Sequence, residues 1–60
     1  MRIGQKVKIK VIEMPDDMYN PRSLVGNIVS LDGNMKTIIV LWINGIRNSY
    51  VEKNLEIIYD

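Results

Sequence analysis

An all-β fold built from five short strands is what this sequence predicts. Three observations carry the prediction: a stretch of strict two-residue alternation, β-branched runs punctuated by turn residues, and the lack of any apolar stripe at helical spacing. With 60 residues there is room for one core; a chain this short buries only about 60% of the surface it exposes when unfolded. One domain spanning residues 1–60 is therefore expected.

The alternation is Lys6-Val7-Lys8-Ile9-Lys10-Val11, with the valines and isoleucine on one face of a first strand and the lysines on the other. The next stretch, Glu13 to Ser23, holds Pro15, Asp16, Asp17, Asn20 and Pro21, which oppose both helix and ladder and predict a long irregular loop. Met14, Met18, Tyr19 and Leu24 interrupt its polarity, so parts of it are expected to fold back on the sheet. A second strand is read over Val25 to Leu31, and Asp32-Gly33-Asn34 reverses the chain into a third over Lys36 to Ile43. Asn44-Gly45 suits a type I′ turn, whose two central residues both need positive φ, and Ile46 to Val51 follows as the fourth strand. Glu52-Lys53-Asn54 is long enough for one helical turn, and Leu55 to Tyr59 closes the set.

Five strands, a long first loop, two tight hairpins and a single helical turn before the last strand form the element order of a small SH3-like barrel. An OB-fold would need a helix between strands three and four, and Asn44-Gly45 leaves no space for one. Closure into a barrel also suits a chain without disulfides or metal, because it buries apolar surface and strand edges together.

Several segments resemble small SH3-like families. Gly4-x-Lys6-Val7-x-Ile9, Val25-Gly26-Asn27-Ile28-Val29, Ile38-x-Val40-x-Trp42 and Leu55-Glu56-Ile57-Ile58 are similar to the photosystem I peripheral stromal subunit and related electron-transport accessory barrels. Val40-Leu41-Trp42-Ile43-Asn44-Gly45, followed by Tyr50, resembles the Mind bomb-type SH3-like repeat. These positions are strand residues, fold-forming glycines and turns. The resemblance implies an architecture and, through what the families share, a scaffold that docks on larger protein assemblies.

Composition narrows the function classes. Cysteine and histidine are both absent, so disulfides, zinc knuckles and histidine-activated nucleophiles are unavailable within the chain. The glycines form no phosphate-binding pattern, and Ser23, Ser30, Thr37 and Ser49 have no activating base at motif spacing. Glu13, Asp16 and Asp17 lack the spacing and glycine of a calcium loop and read as solvated loop charges. No enzyme, cofactor or metal site is expected. The longest apolar run, Ile38 to Ile43, is far shorter than the roughly 20 residues of a membrane span, and the first residues do not form a signal sequence. A cytoplasmic location without membrane association is expected.

Two candidate surfaces remain. If Ile38, Val40 and Trp42 fill the core, then Ile39, Leu41 and Ile43 point outward, where a half-exposed sheet normally carries polar side chains. That stripe predicts a protein interface or self-association, unless the first loop or the curvature of the sheet covers it. The alternative is nucleic-acid binding through Arg2, Lys6, Lys8 and Lys10. A net charge of only +1 favours the bland account, in which these lysines keep a solvated face from aggregating. An aromatic cage for a methylated lysine would need three of Tyr19, Trp42, Tyr50 and Tyr59 to converge, against the register that places Trp42 in the core.

Overall fold

The computed structural model describes residues 1–10, 19, 21, 23–34 and 36–59. Its strands are β1 (Lys6–Ile9), β2 (Gly26–Asp32), β3 (Thr37–Trp42), β4 (Arg47–Tyr50) and β5 (Leu55–Ile57), with one 3-10 turn, Glu52–Asn54, before β5. All strand pairs are antiparallel and belong to one sheet in the order β4-β3-β2-β1-β5. The all-β expectation holds, as does the element order expected of a five-stranded SH3-like barrel. β1 stops at Ile9, short of Lys10, and the expected continuation to Val11 lies outside the described residues. So do Met14 and Met18 as candidate covers, and the loop charges Glu13, Asp16 and Asp17. No helix of the described residues is long and apolar enough to cross a membrane.

Every strand contributes to one buried face: Val7 and Ile9 from β1, Ile28 from β2, Ile38, Val40 and Trp42 from β3, Tyr50 from β4 and Leu55 from β5. Among the described residues no second layer covers that face. Complete burial of Val7 and Val40 at 0% exposure therefore requires the sheet to curl over itself. A register shift between Ile28 and Ser30 supplies the bend. There Val29 is the extra residue of a β-bulge, which kinks the strand and increases its twist. The kink lies beyond the Gly26 and Asn27 segment that pairs with β1, so β2 serves β1 on one side and β3 along its length.

Gly26 sits opposite Trp42. A Cβ there would lie 2.7 Å from Trp42 Cε3 and closer still to Val40 Cγ1. The missing side chain is thus what lets the indole lie flat against β2.

The turns differ from the sequence expectation in one respect. Gly45 has φ of 89°, but Asn44 does not share the positive φ that a type I′ turn demands. Trp42 N–H donates to the Ile46 carbonyl at 2.8 Å, and Gly45 N–H donates back to the Trp42 carbonyl at 2.8 Å. This is a three-residue loop, a tight turn followed by a left-handed glycine, which matches strand twist as well as a type I′ turn does. Asn44 favours it because its Oδ1 accepts the Ile46 N–H at 3.1 Å. In the β2–β3 reversal the left-handed position falls on Lys36, with φ of 52°, which explains why β3 starts at Thr37. Asp32 Oδ1 braces that reversal by accepting the Asn34 N–H at 3.1 Å.

Candidate interaction surface

Side chains alternate across a strand, so the residues between the core positions share the convex face. Strand register places them in rows. Lys6 pairs with Asn27, Asn27 with Leu41, and Leu41 with Arg47. Ile58 N–H donates to the Lys6 carbonyl at 2.9 Å, extending the row past β1. In the neighbouring row Lys8 pairs with Glu56, and Ile43 N–H reaches the Val25 carbonyl at 3.2 Å. On the other side Ile39 stands between Ser30 and Ser49.

The two candidate surfaces of the sequence reading therefore adjoin at Lys6. Leu41, Ile43 and Lys6 line a common groove of about 590 Å³ together with Val25, Asn27 and Ile58. Ile43 is 77% exposed and Val25 38%, while Leu41 and Ile58 are half-buried. Ile39 does not line the groove and is half-buried between its two serines. Sequence reasoning missed Val25 and Ile58. Their alternation was visible, but only the β5-β1-β2-β3 order brings them beside Leu41 and Ile43.

The basic candidates do not form a continuous stripe. Lys8 Nζ lies 3.9 Å from Glu56 Oε2, with both side chains about half exposed. Lys10 shares a hollow with Glu52, Lys53 and Glu56, so acidic and basic groups alternate there. Arg2 is exposed in the turn before β1, where its backbone N–H donates to Gln5 Oε1 at 2.6 Å.

The aromatic residues are organised for packing. The Trp42 and Tyr50 rings meet edge to face, with centroids 5.7 Å apart and planes at 82°. Trp42 Nε1 donates to Tyr50 Oη at 3.0 Å, and that hydroxyl donates to the Tyr19 carbonyl at 3.0 Å. Asn48 Nδ2 donates to the same carbonyl at 3.0 Å. Trp42 and Tyr50 are almost wholly buried, and Tyr59 is 83% exposed. The cage geometry is not formed. Tyr50 thereby ties residue 19 to the sheet through a backbone group.

Comparison of this chain with protein-family models, with curated proteins and with solved structures finds no match.

Proposed function

We propose that this chain is a non-enzymatic interaction module on an SH3-like barrel, and that it docks an apolar segment of a larger protein assembly in the groove around Leu41 and Ile43. The observation that carries this reading is Ile43. A large aliphatic side chain 77% exposed just beyond the end of β3, with Val25, Leu41 and Ile58 beside it, makes a contiguous apolar surface with a polar margin. Arg47 stands beside Leu41, so an apolar residue followed by a carboxylate suits the site. Burial of Ile43 and its neighbours contributes about 1.5–3 kcal/mol per side chain before the ordering costs of association. The intermixed carboxylates on the lysine face weigh against a phosphate-binding surface.

The test is affinity capture from the source cell with wild type and Ile43→Glu, followed by a salt titration of the captured complex. The proposal expects one protein partner, lost with Ile43→Glu and retained as salt is raised. Phosphate binding through four cations would instead weaken on the order of 100-fold between about 50 and 200 mM salt. A captured nucleic acid with that dependence overturns the proposal.

A further inference from the structure

The two outer strands of the sheet end in different states. β4 is one edge and β5 the other. On β4, Ser49 N–H is taken by Asn48 Oδ1 at 2.9 Å, and the Val51 carbonyl just beyond is taken by Asn54 N–H at 3.0 Å. Local side-chain and turn contacts thus use backbone groups that an incoming strand would need.

On β5 the pattern is open and ordered. Lys10 N–H donates to the Asn54 carbonyl and Ile58 N–H to the Lys6 carbonyl, so residues 54, 56 and 58 turn their backbone groups to β1. Leu55, Ile57 and Tyr59 turn theirs away. Leu55 N–H is used by the Glu52 carbonyl. Among the described residues the Leu55 carbonyl, both backbone groups of Ile57 and the Tyr59 N–H have no partner.

That set is complementary to itself. Under a two-fold axis at Ile57, each Ile57 N–H meets the other copy's Ile57 carbonyl, and each Tyr59 N–H meets the other copy's Leu55 carbonyl. The Leu55 N–H already satisfied within the chain lies at the end of this ladder, where its loss costs no internal bond. We infer that β5 pairs antiparallel with β5 of a second copy, joining two sheets through their free edges. This edge adjoins the groove at Ile58, but the pairing runs through backbone groups of Leu55, Ile57 and Tyr59 and does not depend on the function proposed for the groove.

The side chains agree with that occupant. Tyr59, 83% exposed, comes to lie opposite Leu55 of the second copy, whose side chain is turned into its own core at 1% exposure, so no side chain at that position obstructs the approach. The hollow along this edge carries Lys10, Lys53, Glu52 and Glu56, two of each sign. Such a balance favours neither an acidic nor a basic foreign strand, whereas a second copy presents the same balance. Lys8 beside Glu56 offsets the diagonal approach of the two Glu56 carboxylates. Strand pairing over so few residues buries little area, so the dimer is weak, with Kd on the order of 0.1–1 mM.

Sedimentation equilibrium and amide hydrogen exchange, run over a concentration series, test the pairing. Wild type is expected to dimerise, with protection at Ile57 and Tyr59 rising with concentration and protection at Arg47 constant. Tyr59→Pro removes an outward donor at an exposed position beyond the strand, and is expected to keep the melting temperature of the dilute monomer and abolish the dimer. Ile43→Glu is expected to leave the dimer intact. A chain that stays monomeric to about 1 mM overturns the inference and leaves the edge to a foreign strand. A dimer that survives Tyr59→Pro but fails with Ile43→Glu also overturns it, because association then runs through the convex face.

Discussion

The two faces of β3 carry nearly the same chemistry in sequence and different surroundings in the structure. Ile38, Val40 and Trp42 meet Leu31, Tyr50, Ile28, Gly26 and a single polar residue, Asn48, across the strands, whereas Ile39 and Leu41 meet Ser30, Ser49, Asn27 and Arg47. The first set is buried, and the second is half-buried with Ile43 exposed beyond it. Hydrophobicity along one strand therefore does not choose the core face. The choice belongs to the cross-strand partners, since apolar neighbours assemble a core only where the adjoining strands offer them on the same side.

Substitutions on opposite faces should break this comparison unequally. The largest effect is expected for Trp42→Ala, which opens a cavity and removes the donor to Tyr50. A loss of about 3–5 kcal/mol would leave little of the folded state of so small a domain, read as loss of the cooperative melt followed by circular dichroism. Gly26→Val attacks the same face from the neighbouring strand by forcing a side chain against Val40 and Trp42, and about 1–3 kcal/mol of destabilisation is expected in urea unfolding. Gly45→Val acts at the loop where both faces end. Its cost is about 1–2 kcal/mol of left-handed backbone strain, visible as a lower denaturant midpoint with unchanged slope. The smallest effect belongs to the convex face, where Ile43→Lys should change stability by no more than about 0.5 kcal/mol. A cooperative loss of stability with Ile43→Lys would mean that the convex side is also core, and the comparison would fail.

Strand alternation, turn residues and the single turn at Glu52–Asn54 made the five elements legible in the sequence, because each is a local property. The bulge at Val29 was not legible. It inserts a β-branched residue into a run that continues to read as regular strand, and its cause is the need to bend around a core made by other strands. The geometry at Asn44-Gly45 was half legible: Gly45 takes the left-handed position, but the Asn44 side chain bonds Ile46 and favours the longer loop. For the candidate surface, alternation indicated which side Lys6 and Leu41 would occupy. It did not show that Asn27 alone separates them, since that follows from sheet order.

The bond between Tyr50 and residue 19 has a consequence for how the sequence can change. The hydroxyl of Tyr50 and the amide of Asn48 both address the Tyr19 carbonyl, a group that every amino acid possesses. Their contact specifies where the chain passes without specifying which side chain passes there. The two ends of this contact should consequently tolerate replacement very differently in a saturation library scored for folding. Position 19, whose ring is 57% exposed, should accept a wide range of residues, while position 50 should hold to tyrosine, since phenylalanine keeps the ring but surrenders both hydrogen bonds of its hydroxyl.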